Sequence, residues 1–403
     1  MSVAPTATPR PLDGIRVLEL GQLLAGPFAG TLLAYFGAEV IKVEPPGGDP
    51  IRQWRIVRDG ASLWWRSLGR NKKCVTLNLR DPAGRALARR LAERCDVLIE
   101  NFRPGILEGW GLGPDDLKPV NPGLIFARIS GYGQDGPYAA RPGYASVCEG
   151  IGGLRYVNGV PGEPPVRPNL SLGDTFAGLH AAFGVLLALL DRQRRAPHAG
   201  QTVDVALYES VFNLLEAVVP EYDGAGAIRE PSGSTVTGIV PTGTYRCRDG
   251  KYVIIGGNGD SIYKRLMHAT GRADLAKDPR LAGNAGRVEH QQEIDTAIAA
   301  WTATLDSREA LARLEAAEVP AGPIYNVADM VTDPHFLARG LFEMVEIDGK
   351  LLKIPAILPK LAETPGATNW PGPEIGSHNM EVFSGLLGLS AAELTTLKGQ
   401  SVF

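Results

Sequence analysis

The chain has 403 residues, 44% apolar and 21% charged, enough to build the cores of two or three domains at the usual ~150 residues each without disulfides or metals as staples. Glycine and proline together make up about a fifth of it, short of the roughly 25–30% that marks low-complexity sequence. Lys and Arg number 41 against 44 Asp and Glu, a net charge of −3, which leaves no basic field to hold nucleic acid and no acidic tail.

Ile15–Leu20 reads as a buried strand, Gly21–Pro27 as a glycine-containing turn, Phe28–Phe36 as a helix and Val40–Val43 as a second strand, which is one βαβ unit. The pattern recurs with a strand at Cys74–Leu77, a helix at Pro82–Arg94 led by Asp81 as N-cap, and strands at Val97–Glu100 and Leu124–Ile129. A long helix follows Asp174, then a strand at Thr202–Leu207 and an amphipathic stretch at Tyr208–Val219. Strands alternating with helices predict an α/β fold, a Rossmann-like parallel sheet covered on both faces.

Gly, Ser, Thr and Pro crowd Tyr222–Gly243, and beyond them Thr244–Arg246 and Lys251–Ile255 flank the turn pair Asp249-Gly250. Helical stretches at Ser261–Ala269 and Gln291–Leu305 complete a smaller α+β domain that ends near Val319–Pro323. The division expected is 1–222 for the large domain, 223–325 for the small one, and a tail over 326–403. With strand-like Phe342–Ile347 and Leu351–Ile354, that tail is too thin in core residues to stand alone and returns to the first domain or reaches a partner subunit.

Cys74, Cys95, Cys148 and Cys247 are scattered and form no CxxC pair, which suits reduced thiols in the cytoplasm. Met1–Arg10 lacks the apolar core of a signal peptide, and the longest apolar run, Ala181–Leu190, is well short of the ~18 residues of a membrane span. The six dispersed histidines form neither HxxxH nor HExxH, which disfavours metal catalysis, and there is no GxSxG.

Three places hold candidate chemistry. Gly21, Gly26 and Gly30 miss the GxGxxG spacing of a dinucleotide site, so Glu44, about 20 residues beyond the turn, reads as a solvated strand end. Lys72 and Lys73 likewise read as a solvated face, whereas Asn101-Phe102-Arg103, after a strand, offers an amide, an apolar plate and a guanidinium where α/β folds bind ligands. Asp174 stands directly before a helix rich in small residues and is first of all an N-cap; the same position at a helix start can hold an ionised carboxylate able to act as a nucleophile.

These stretches together resemble the class III CoA-transferases, a family that includes formyl-CoA transferase, carnitine CoA-transferase and the α-methylacyl-CoA racemases. The resemblance runs through Pro11–Glu19, Ala25–Pro27, Phe36–Pro45, Asn71–Lys73, Glu100–Gly105, Gly173-Asp174, Gly200–Val205 and Val319–Pro323. It implies that the residue matching Asp174 attacks a donor thioester, and that CoA then passes through an aspartyl thioester to an acceptor acid, with no permanently bound cofactor and no metal. It implies a CoA pocket on Leu24, Ala25, Leu77, Asn78, Leu79, Arg80, Asn101, Phe102, Arg103, Arg141 and Tyr144, and an interlocked homodimer. Four polar residues of the formyl-CoA transferase pocket are replaced here, by Leu24, Pro45, Gly109 and Pro142, departures that bear on the pocket's polar contacts and on oxalate as acceptor. Ser232–Gly243 matches in position a mobile glycine loop of that enzyme, without its run of four glycines, and reads equally as a lid or a linker.

The racemases need a His–Asp pair where this chain has Tyr144 and Ala145, neither a ready base at neutral pH, so CoA transfer is favoured over racemisation. A noncatalytic CoA-binding protein is the alternative outside enzymes. Around Pro168–Asp174, Val219–Asp223 and Gly256–Ser261 the chain resembles the branch that pairs succinyl-CoA with dicarboxylates such as glutarate, malate, citramalate or itaconate.

Overall fold

Six short aliphatic runs pair into one parallel sheet in the computed structural model, which describes residues 9–403. They are β1 (Arg16–Glu19), β2 (Glu39–Glu44), β3 (Lys72–Thr76), β4 (Val97–Glu100), β5 (Ile125–Ser130) and β6 (Thr202–Ala206), ordered β3-β2-β1-β4-β5-β6. Val17 lies opposite Val40 on one side and Val97 on the other, in parallel register. The order reverses between β1 and β4, so these two strands flank the switch point of a doubly wound sheet. Most of Met1–Arg10, read above for a leader, lies outside the described residues.

Side chains alternate across the sheet because the strand period is two. Val17, Val40, Val97 and Ile125 face a core shared with α1 (Ala25–Tyr35) and the long helix Leu172–Arg194, while Leu18, Ile41, Leu98 and Phe126 face one shared with α2 (Pro82–Ala92) and the C-terminal segment. Helix α2 begins as its sequence predicts, the Asp81 carboxylate accepting the Ala83 N–H at 2.7 Å. A short helix, α3 (Ala145–Ile151), precedes the 23-residue α4 (Leu172–Arg194). By length and composition α4 could cross a membrane, but Gly173, Ala177, Ala181, Val185 and Leu189 form a buried stripe at four-residue spacing, the pattern of a core helix. Gly178 sets how closely α4 approaches α1, since a Cβ there would lie 2.7 Å from the Ala25 carbonyl oxygen.

The chain divides into two units. The first takes the residues up to Leu154, Pro168–Glu216 and Leu337–Phe403; the second takes Arg155–Arg167 and Ala217–Phe336. In the second unit β7 (Thr242–Arg246), β8 (Tyr252–Gly256) and β9 (Ala321–Pro323) make an antiparallel sheet ordered β9-β8-β7, with the β7–β8 turn at Asp249-Gly250. Helices Asp260–Ala269, Gln291–Thr302 and Ser307–Ala316 close its core around Val253, Ile255, Leu266, Ile298 and Leu314. The amphipathic stretch read at Tyr208–Val219 is instead two helices, Leu207–Phe212 and Val218–Ala225; Glu216 between them, at φ +51°, takes a left-handed turn that no helix continues through.

Within the first unit the C-terminal segment forms the hairpin β10 (Phe342–Ile347) and β11 (Lys350–Pro355) and then runs along the open edge of β3. There His378 N–H donates to the Cys74 carbonyl at 3.0 Å, Cys74 N–H to His378 Nδ1 at 3.2 Å, and Thr76 N–H to Asn379 Oδ1 at 2.9 Å. The edge strand is thereby covered without a seventh strand. Buried Asn71 fastens the same segment: its amide nitrogen donates to the Ala367 carbonyl at 2.7 Å, and its oxygen accepts the Asn369 and Trp370 N–H groups at 2.6 and 3.3 Å. Asn71 also sits at φ +58°, a left-handed conformation that Asn tolerates and Ala resists. Asn71→Ala is therefore expected to cost about 2–4 kcal/mol in denaturant titration and to speed proteolysis between residues 356 and 380. Wild-type stability with unchanged cleavage would refute this role.

Candidate active site

All six strands of the sheet are parallel, so the turns after them leave from one edge, and the residues nominated from sequence in those turns share that edge. Two turns meet at the switch point: Gln22 N–H donates to Asn101 Oδ1 at 2.7 Å, and Asn101 Nδ2 donates to the Gln22 carbonyl at 2.8 Å. Arg103 links its turn to the one after β5, donating to the Ala140 carbonyl at 2.8 Å, and Arg141 stacks on Tyr138 at 3.6 Å. Tyr144 is 73% exposed at the start of α3. Leu77–Arg80 lie at the end of β3, two strands from β1 and so roughly 10 Å from the switch point; Asn78 N–H donates to the Val402 carbonyl, and Arg80 is exposed. Leu24, Ala25 and Leu77 are core side chains; Leu24 packs with Ile51, Ala61 and Trp65.

Beneath the first turn lies a cluster of charges sealed from solvent. Lys42 donates to the Gly21 carbonyl at 2.6 Å and pairs with Asp49 at 2.9 Å and Glu19 at 3.2 Å. Lys72 pairs with Glu19 at 2.8 Å and donates to the Pro27 carbonyl at 2.6 Å. Asp49 accepts the N–H groups of Leu23 at 3.1 Å and Ile51 at 3.0 Å, which holds Leu23 at φ +64°. Against the upward push of burial, the Lys42 ammonium keeps the Asp49 carboxyl below its usual range.

Two sequence expectations fail here. Glu44 is 1% exposed and bidentate with Arg52 at 2.8 and 3.1 Å, rather than a solvated strand end; Arg52 also lies 3.9 Å from the centre of the Trp65 ring. Lys72 is fully buried rather than on a solvated face, and Lys73 bridges Glu39 at 2.6 Å and Glu381 at 2.7 Å. In both cases a carboxylate or guanidinium brought in by the fold replaces water. The sequence signal that could have found this cluster is Lys42 itself, a cation in the middle of an otherwise apolar strand.

Asp174 is half-buried and is the third residue of α4, not its N-cap; Ser171 holds that position and makes no side-chain cap. The helix's positive end lies at this carboxylate, which suits a negative charge. Next to it stands Cys148, whose thiol burial, and then the charge of Asp174, push up to about 11. A thiol held neutral is a poor nucleophile at neutral pH. Glu149, which sequence reasoning did not single out, accepts the Gly173 N–H at 3.1 Å. No group of three or more His, Cys, Asp or Glu among the described residues is placed to hold a metal.

Within the second unit, Ser232–Gly243 has a structure of its own. Ser232 and Thr235 exchange hydroxyl-to-carbonyl bonds at 2.7 and 2.8 Å, and buried Arg287 pins the end of the segment through the Val240 carbonyl at 3.0 Å. The same guanidinium holds the Gly256–Asp260 turn through the Asn258 carbonyl at 2.7 Å.

Residues 12–379 match the family described as CoA-transferase family III. The chain is 48% identical over 397 residues, 98% of each chain, to a succinyl-CoA–D-citramalate CoA-transferase of Chloroflexus aurantiacus. It is 42% identical over 397 residues, 97% of this chain and 92% of the other, to the alpha subunit of a succinyl-CoA–L-malate CoA-transferase of the same organism. Among solved structures, a CAIB/BAIF family protein from Brucella suis aligns with a TM-score of 0.83 at 34% identity, covering 94% of this chain and 99% of that one.

The carboxylate before Asn101 gives the site a pH signature. Glu100 accepts the Phe102 N–H at 2.8 Å and Arg128 Nε at 2.8 Å, and burial, opposed by Arg128, pushes it from an ordinary 4.5 up to about 7. A carboxyl raised by folding contributes stability that is full below its unfolded value and lost as the pH rises through about 7. Arg128 keeps Glu108 at 2.6 Å when Glu100 is neutral, so Glu100→Gln is tolerated. Calorimetry from pH 5 to 8 should show the wild-type Tm falling relative to Glu100→Gln; parallel curves would refute the assignment.

Proposed function

The chain belongs to CoA-transferase family III, and on that premise we propose that it moves CoA from succinyl-CoA to a second dicarboxylic acid, with Asp174 as the nucleophile. The observation that carries this reading is a half-buried carboxylate in the first turn of α4, which packs through Gly178 on the start of α1 beside the switch-point turn. The substrate class rests on two relatives named for succinyl-CoA with D-citramalate and with L-malate.

In this mechanism an Asp174 oxygen attacks the thioester carbonyl carbon, the C–S bond breaks, and sulfur leaves with the electron pair as CoA thiolate. The product is an aspartyl–succinyl anhydride. The thiolate attacks the aspartyl carbonyl, releasing succinate and leaving an aspartyl-CoA thioester. The acceptor carboxylate then displaces CoA from that thioester, and the thiolate takes the acceptor's acyl group from the new anhydride and frees Asp174. Thioester energy is conserved throughout, so no ATP enters.

The exposed guanidinium groups of Arg80, Arg103 and Arg141 at the sheet's ligand-binding edge suit the phosphates of CoA. Where a racemase would hold its base there are Tyr144, exposed, and Ala145, buried, which supports transfer over proton exchange. Leu179, Phe183 and Leu187 leave the outer face of α4 apolar and 51–58% exposed, and a second copy of the chain covers it in the homodimer of this proposal. The four cysteines are buried free thiols, in keeping with a cytoplasmic enzyme.

Asp174→Ala should abolish transfer in a panel of dicarboxylates offered with succinyl-CoA and read by acyl-CoA chromatography, while the fold loses only the favourable placement of a charge in the first turn of α4, at most about 2 kcal/mol. A folded, active Asp174→Ala chain would sink the mechanism. Arg80→Ala should raise the acyl-CoA KM about tenfold or more and leave the acceptor KM within about twofold; equal effects on the two would remove Arg80 from the CoA pocket.

A further inference from the structure

Helix α4 begins without a side-chain cap of its own, and its second amide is met from another helix. Gly173 N–H donates to Oε1 of Glu149, a residue 1% exposed on α3. Glycine suits this approach: a Cβ at position 173 would stand 3.2 Å from the Ala145 Cβ and 3.3 Å from the Glu149 Cγ, tighter than ordinary van der Waals contact. Asp174 is the next residue, and after burial its charge and that of Glu149 both push up the Cys148 thiol.

We propose that Glu149 is a positioning residue for Asp174: its buried carboxylate fixes the peptide that precedes the nucleophile, and with it the direction from which Asp174 meets the thioester. The inference rests on the reading of Asp174 given above. An amide–carboxylate bond is charge-assisted, and stronger where the carboxylate is buried, as Glu149 is. It acts where it matters, because nucleophilic attack needs the reacting atoms about 3–3.5 Å apart, and a shift of ~1 Å costs on the order of a hundredfold in rate. A serine cap on α4 would hold the helix start only to itself. Glu149 instead ties it to α3, whose own first residue follows Tyr144, so one seven-residue helix joins the Arg141–Tyr144 turn to the nucleophile.

The test is single-turnover formation of the hydroxylamine-trapped Asp174 adduct from succinyl-CoA, with steady-state constants alongside, for the wild type, Glu149→Gln, Glu149→Ala and Glu149→Asp. Glu149→Gln keeps an oxygen for the Gly173 N–H and should label within about fivefold of wild type. Glu149→Ala and the shortened Glu149→Asp should label about 10–100-fold more slowly, with the acyl-CoA KM within about threefold, so that the loss lies in kcat. If Glu149→Ala does not fold, the Gln and Asp variants decide alone: Gln fast and Asp slow supports the proposal, and Asp as fast as Gln overturns it. Wild-type labelling rates in Glu149→Ala, a loss confined to KM, or Gln as slow as Ala would each overturn it too. An unlabelled wild-type chain would overturn the Asp174 reading itself, and this one with it.

Discussion

Lys42 and Lys72 have no access to solvent, and the turn after β1 takes its shape from that fact. A buried ammonium without partners costs several kcal/mol, so the fold must supply them. It does so with Glu19, Asp49 and the carbonyls of Gly21 and Pro27, which belong to or border the turn itself. Asp49 in turn holds the Leu23 amide and a backbone angle that an L residue rarely adopts. Dinucleotide-binding sheets shape the corresponding turn with glycines, whereas this chain shapes it with ion pairs, and the irregular spacing of Gly21, Gly26 and Gly30 follows. The second unit has a parallel device in Arg287, which secures two turns through their carbonyl oxygens. In both, a buried cation stands in for regular structure where the backbone has none.

The strands were legible because a parallel sheet covered on both faces needs near-continuous aliphatic runs, and Val97–Glu100 and Leu124–Ile129 read as such. Helix α2 was legible from Asp81, a cap two residues from the amide it serves. What escaped had distant partners. Lys72 looks solvated until Glu19, 53 positions away, is set beside it, and Glu44 looks like a strand end until Arg52 closes on it. Asp174 reads as a cap from sequence, because the residue that serves the helix start is Glu149 on α3, 24 positions before Gly173. Glu149 itself sits in Ser146–Gly150 with no local pattern to mark it, and only the fold gives it a role.

The nominated binding residues separate along the same line. Asn101 and Arg103 were chosen for chemistry at a strand end, and both make tertiary bonds that join neighbouring turns. Leu24, Ala25 and Leu77 were nominated by resemblance alone, and as core side chains they offer a ligand only their backbone. Of the nominated side chains, the exposed charged ones at this edge are the guanidinium groups of Arg80, Arg103 and Arg141, beside an apolar floor.

The bonds from Asn71 to Ala367 and from Asn78 to Val402 carry a consequence for synthesis on the ribosome. The residue pair at Asn71 is separated by 296 positions, and at 5–20 residues per second the second member emerges roughly 15–60 s after the first. During that interval β3 is an unpaired edge on a nascent sheet, open to any extended segment that reaches it. The second unit is translated within the same window and can close its own core first. Codon choice and chaperone access across residues 76–366 thus bear on the yield of native chain, and a chain released before residues 367–379 are made keeps a sheet with an unguarded border.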